Sequence, residues 1–232
     1  MAGNASAHDG GLSRRAFMER TGAVALGAAL AQLPWALDVR GLLPVARAQT
    51  ASLVEDTFNG LLAFTAPGSD EYSRHQGDSA QRDGGVASGA NRVLVANLDR
   101  YVHASVLGAF GASVPASSGV AALLNHYAGQ ANSLATGPFP SHFARLTVAE
   151  KADVFRRWEA DPSWGESSMR AVVGVLVGYA TFLSWSEAGV YDAARPAPAR
   201  RPVGWENSRY DGPAEGRPEL KGYYKGRRKV RR

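Results

Sequence analysis

His75, His103, His126 and His142, with the carboxylates scattered among them, are the residues after position 48 best suited to chemistry, and no working pattern joins them. None of them is read as standing three or four residues from another histidine or from a helical carboxylate in the pattern of a metal site, and Glu-x-x-His does not occur. Isolated histidines read as surface or satisfied core residues. Nucleophilic and phosphate-binding signatures are also absent: there is no Gly-x-Ser-x-Gly and no Walker loop. Asp83-Gly84-Gly85-Val86-Ala87-Ser88-Gly89 is glycine-rich but lacks dinucleotide spacing and a strand before it, so it reads as a loop. Asp70, Glu71, Asp153, Glu159 and Asp161 have no opposing carboxylate in view and read as solvated faces or helix caps. The chain has 0 cysteines, which excludes disulfides, thiolate zinc sites and cysteine-held iron–sulfur clusters. On its residues alone the chain reads as a non-enzyme.

The strongest motif is an address. Ser13-Arg14-Arg15-Ala16-Phe17-Met18 precedes a short apolar run from Thr21 to Ala31, and Ala46-Arg47-Ala48 follows as a small-x-small cleavage site. Arg14, Arg15 and Phe17 in this order form a twin-arginine (Tat) export signal, with signal peptidase cutting between Ala48 and Gln49. The run is too short for a bilayer, which takes about 20 apolar residues. Residues 1–48 are therefore a signal peptide, with an uncleaved N-terminal anchor as the alternative. The protein is expected outside the cytoplasm, in the periplasm, at the cell surface or beyond.

Charge is unevenly spread. The chain carries +5 overall, but residues 49–194 hold nine basic and fourteen acidic side chains, and residues 195–232 hold twelve and four. A basic end such as Lys225-Gly226-Arg227-Arg228-Lys229-Val230-Arg231-Arg232 would suggest nucleic acid in a cytosolic protein. In an exported one it reads as a solvated tail, or as a contact with an anionic surface at about 1 kcal/mol per basic residue. Nucleic acid is not an expected partner.

The elements between are helical wherever apolar spacing is regular. Val54, Phe58, Leu61 and Leu62 share one face of a helix that Ala66-Pro67-Gly68 ends, and residues 68–89 read as a loop. Leu94, Leu98, Tyr101 and Val102 form a second face, which Val106 and Phe110 extend. Val120, Leu123, Leu124 and Tyr127 form a third. Thr147-Val148-Ala149-Glu150 is a capping box opening a helix that turns Val148, Ala152, Phe155 and Trp158 inward and stops by Asp161-Pro162. The most apolar helix, Glu166 to Ser186, reads as a central core helix surrounded by the others, and Gly174-x-x-x-Gly178 lets a neighbour approach it. The fold is expected to be all-α: a small irregular bundle of about five helices over residues 49–192. Residues 193–232 form an extended basic C-terminal arm, because Pro196, Pro198 and Pro202 prevent a helix there. Trp205, Tyr210, Tyr223 and Tyr224 stand among glycines in that arm and are candidate partner-docking residues.

This order of features resembles the small, cofactor-free subunits of bacterial flavin-dependent sugar dehydrogenases (the gluconate 2-dehydrogenase subunit 3 group) and a related group of Tat-exported helical proteins. The matching elements are the Arg14-Arg15 signal, the helix ending in Ala66-Pro67-Gly68, and Phe143-Ala144-Arg145-Leu146-Thr147 before a helix. After them come Tyr179, Phe182 and Trp185 on the long apolar helix, Gly189-Val190-Tyr191, and Val203-Gly204-Trp205. The resemblance implies a non-catalytic small subunit, or export escort, with no cofactor of its own. Its partners would be the Tat translocase and a glucose–methanol–choline-type flavoprotein that carries the FAD. The long polar loop at 68–89 and the basic end from Lys221 depart from that group. A stand-alone exported cell-surface binding protein is the alternative, and an enzyme with an unfamiliar site a third reading.

Overall fold

The computed structural model describes residues 50–101, 115–162 and 166–210. The signal motif with its cleavage site (Arg14, Arg15, Phe17, Ala46, Ala48, Gln49), and the aromatic residues Tyr223 and Tyr224, lie outside them. So do Val102, Val106, His103 and Phe110.

Seven α-helices and one two-residue hairpin account for the described regular structure, and the fold is all-α. Helix α1 spans Ala51–Thr65; the Thr50 hydroxyl accepts from the Leu53 amide at its start, and Ala66 closes it before Pro67. The short α2, Glu71–His75, starts at Asp70, whose carboxylate accepts from the Ser73 amide. Helix α3 is Ala90–Tyr101 and α4 is Ala116–Ala131. The Asp99 carboxylate near the end of α3 accepts from the amide of Ser117 at 2.8 Å, capping α4 from a neighbouring element. A 3-10 turn at Phe143–Arg145 leads into α5, Val148–Ala160, and both halves of the capping box between Thr147 and Glu150 are made. Helix α6 runs Glu166–Trp185. A 3-10 turn at Ala188–Val190 follows, then β1 (Tyr191–Asp192) antiparallel to β2 (Ala197–Pro198), in the register Tyr191 to Pro198. Helix α7, Val203–Ser208, ends at Arg209 in the left-handed conformation with φ 56°.

The hub of the bundle is α1, not α6. Helix α1 touches α2, α3, α4, α6 and the turn at Phe143–Arg145. Its Phe58, Leu61 and Leu62 are fully buried among Leu94, Leu124, Phe143, Leu176 and Leu183. Burial of each such side chain is worth about 1.5–3 kcal/mol. A stack of Tyr127 on Trp158, with ring centroids 5.9 Å apart, fixes α4 against α5.

Residues 68–89 differ from the featureless loop expected of them. They contain α2 and bury Ser73, Gln76 and Ser88. Polar side chains bonded to neighbouring backbone hold this segment, as Gln76 Nε2 does to the Ala63 carbonyl at 2.8 Å, and such bonds leave no periodic apolar signal. The segment 193–210 is not wholly extended either. Its prolines keep 195–202 out of helix, but Pro202 stands just before α7, where a missing N–H costs nothing.

Candidate docking surface

Helix α6 presents two unlike faces. Val172, Val173, Leu176, Tyr179, Ala180, Leu183 and Ser184 are buried against the bundle. The opposite face carries Gly174, Gly178, Phe182 and Trp185 at helical spacing, all exposed. A methyl group placed on Gly174 or Gly178 would meet nothing within 4 Å, so the floor of this face is open backbone. Above it stand Phe182, 38% exposed, and Trp185, 42% exposed. The expectation that α6 lies at the centre of the bundle is therefore corrected: α1 takes the centre, and α6 leaves one side uncovered.

The aromatic rings on this face are held rather than loose. Phe182 stacks on Tyr179 at 6.5 Å between centroids with 13° between planes, and Asn97 donates to the Tyr179 hydroxyl oxygen at 2.6 Å. Helix α7 extends the surface beyond Trp185. Val203 and Gly204 are buried, and Gly204 lies directly on the Trp185 carbonyl. Trp205 is half-buried and meets Tyr210 edge-on at 5.3 Å, and Tyr210 is 47% exposed. Two long-range bonds tie this segment to the body: Asn207 Nδ2 donates to the Asp83 carbonyl at 3.0 Å, and Arg200 Nη2 to the Ala87 carbonyl at 2.5 Å. Two of the four candidate docking aromatics, Trp205 and Tyr210, thus sit side by side on the α6–α7 flank. Phe182 and Trp185 join that flank, although their sequence context did not mark them for docking. Their signal was the i, i+4, i+8, i+11 spacing of Gly174, Gly178, Phe182 and Trp185, visible once the inward face is assigned.

The interior holds a polar network around α1. Asp56 accepts from the Tyr72 hydroxyl at 2.6 Å and from the Ser141 amide at 2.7 Å. Burial first, and then the Asp56 carboxylate, push the Tyr72 hydroxyl far above its usual range. Asn125 donates to Thr57 at 2.9 Å and accepts from the Ser141 hydroxyl at 3.0 Å. Ser141 is fully buried; its hydroxyl bonds Thr57, Asn125 and the Ala144 amide, while the Asp56 carboxylate is taken by its backbone amide and by Tyr72. Lys151 is the group that sequence reading missed. It is fully buried, and its Nζ donates to the Gly60 carbonyl at 3.1 Å and to Gln76 Oε1 at 2.8 Å. Burial pushes its ammonium down to about 7, against the opposing pull of Asp70 and Asp56. The spacing Val148, Lys151, Phe155, Trp158 put it on the inward face of α5.

Two of the described histidines, His75 and His142, bond backbone carbonyls. His75 Nε2 lies 2.9 Å from the Arg145 carbonyl, and its ring meets Phe139 edge-on. His142 Nε2 lies 2.6 Å from the Asn132 carbonyl. The reading that no helical carboxylate stands near a histidine is corrected by Glu71, four residues before His75 on α2, although among the described residues no third ligand joins them. Among the described residues no group of three His, Cys, Asp or Glu is placed to hold a metal ion. No described helix is long and apolar enough to cross a membrane. Set beside known proteins, the chain matches no family model, no curated protein and no solved structure.

Proposed function

We propose that this chain is a non-catalytic accessory subunit, exported by the twin-arginine route, that escorts and docks a glucose–methanol–choline-type flavoprotein dehydrogenase. The observation that carries the docking half is the flank of α6 where Phe182 and Trp185 stand part-exposed next to the α7 segment that carries Trp205 and Tyr210. Large aromatic residues grouped at the surface are unusual for a lone soluble body and dominate binding energy where interfaces form. The resemblance of the sequence to small dehydrogenase subunits supplies the class of partner. The Arg14-Arg15 motif supplies the shared route, since twin-arginine export carries proteins already folded.

The test is co-production with a flavoprotein of that class lacking a signal of its own. Flavin-dependent dehydrogenase activity should appear outside the cytoplasm with the wild-type chain. It should stay inside with the double substitution Arg14→Lys and Arg15→Lys, because the receptor reads the guanidinium pair. Purified alone, the chain should show no flavin absorbance. Export of the flavoprotein irrespective of this chain would overturn the escort role.

A further inference from the structure

On another part of the surface, the start of α3 meets the turn at Ala188–Val190, and the residues just after β2 border the same place. There a recess of about 300 Å³ is lined by Arg92, Gly189, Val190, Tyr191, Ala199 and Arg200. Two glycines allow the junction. Gly89 takes φ +75°, which sets the chain to enter α3. Gly189 lies so close that an added methyl would stand 2.6 Å from the Gly89 carbonyl carbon and 2.8 Å from the Ala90 amide.

The charges around this recess are all of one sign. Arg92 sits in the first turn of α3, at the positive end of the helix, and that turn contains no acidic residue. Helix starts normally favour anions there, so a cation adds to the field instead of cancelling it. Among the described residues Arg92 forms no ion pair or hydrogen bond. Arg200 spends Nη2 on the Ala87 carbonyl, which fixes the guanidinium while leaving most of its five donors free. No carboxylate lines the recess. Asp192, the nearest in sequence, accepts from Arg195 at 2.9 Å. Glu55 and Asp99 border Arg92 only from a second groove between α1, α3 and α4, and Asp99 is held by Ser117.

From this arrangement we infer that the Arg92–Arg200 recess is an anion-binding site for a phosphate group, free or carried on a larger molecule. Guanidinium forks match phosphate oxygens in pairs, and Arg92 stands in the first turn of α3, where the helix field favours an anion. The site uses neither α6 nor α7, but Arg200 also ties the segment before α7 to the body, so Arg92→Gln is the variant that separates this site from the docking reading.

Titration calorimetry of the mature chain with inorganic phosphate, at constant ionic strength, tests the free form. Retention on phosphatidic acid vesicles, against pure phosphatidylcholine, tests the carried form. Saturable binding to either probe is expected, weakened about tenfold or more by Arg92→Gln and by Arg200→Gln, and less by Arg92→Lys, which keeps charge but loses the fork. Arg92→Gln breaks no described contact, so its melt without phosphate should equal the wild type. Binding that both glutamine variants leave unchanged, including vesicle binding through the basic C-terminal end, would overturn the site. So would the absence of saturable binding to both probes.

Discussion

At the residue scale Lys151 is the most unusual group. A neutral amine has two N–H hydrogens, and the Gly60 carbonyl and Gln76 Oε1 accept both. Gln76 also bonds the Ala63 carbonyl through Nε2, and its own carbonyl accepts from the Val148 amide, so one side chain pair joins α1, α2 and α5. The cost falls on the charged form. Lys151 titrates near 7 when folded and near its ordinary 10.5 when unfolded. Between those values the unfolded chain binds a proton that the folded chain does not, so stability must rise with pH across that window. The slope is at most about 1.4 kcal/mol per pH unit, and it vanishes below the folded value, where both states hold the proton. Urea melts from about pH 7 to pH 9.5 should therefore show a rising midpoint for the wild type. Lys151→Met keeps the apolar stem and should flatten that dependence, at the expense of two unpaired acceptors. A wild-type midpoint that is flat or falls over this range would refute a neutral buried amine. Glu150 is also shifted down, but in favour of its charged form: burial would raise it, yet the Thr147 backbone, Asn132 and the Thr147 hydroxyl hold it below its ordinary value, so its stabilising contribution is lost as the pH falls into the acid range.

At the scale of elements, the contact of α7 with α6 sets the docking flank. Gly204 rests on the Trp185 carbonyl, and an added methyl would also stand 2.6 Å from the Trp185 carbonyl carbon. That neighbour is helix backbone and cannot step aside. Gly204→Ala should lift α7 from α6 and cost about 1–3 kcal/mol in a urea melt, with a red shift in tryptophan emission as Trp205 opens to water. Gly178→Ala is the matched control. It meets open space, and removing an exposed helical glycine should add about 0.5–1 kcal/mol of stability. Equal effects of the two substitutions would contradict the arrangement of α7 on α6. Much of the element pattern is readable in the sequence. The Thr147–Glu150 box, the stop at Ala66-Pro67 and the inward faces of α1 and α4 follow from local capping chemistry and periodicity. Less readable is which helix becomes the hub. The long run of apolar residues from Ala171 to Leu183 points to α6, but α1 is chosen by pairing. Asp56 and Thr57 find polar partners on α2 and α4 and beside the 3-10 turn, and only the folded chain brings those partners together.

At the scale of the whole molecule, an all-α body with a hydrogen-bonded interior leaves one aromatic flank in water. Trp205 and Tyr210 are legible as docking candidates because rings among glycines and prolines stand out in a chain. Phe182 and Trp185 are hidden inside an apolar helix, where a ring facing solvent and a ring facing the core look alike. The central claim is that this flank binds a flavoprotein partner. The most direct measurement is the affinity of the purified mature chain for a glucose–methanol–choline-type flavoprotein with which it co-purifies, taken for the wild type and for Phe182→Ala with Trp185→Ala. Both residues are more than half covered, so the double variant should melt somewhat lower than the wild type, and affinity is read well below its melting temperature, where it is folded. Affinity should fall by about 2 kcal/mol or more, roughly thirtyfold in Kd. An unchanged Kd in a normally folded double variant would contradict the claim.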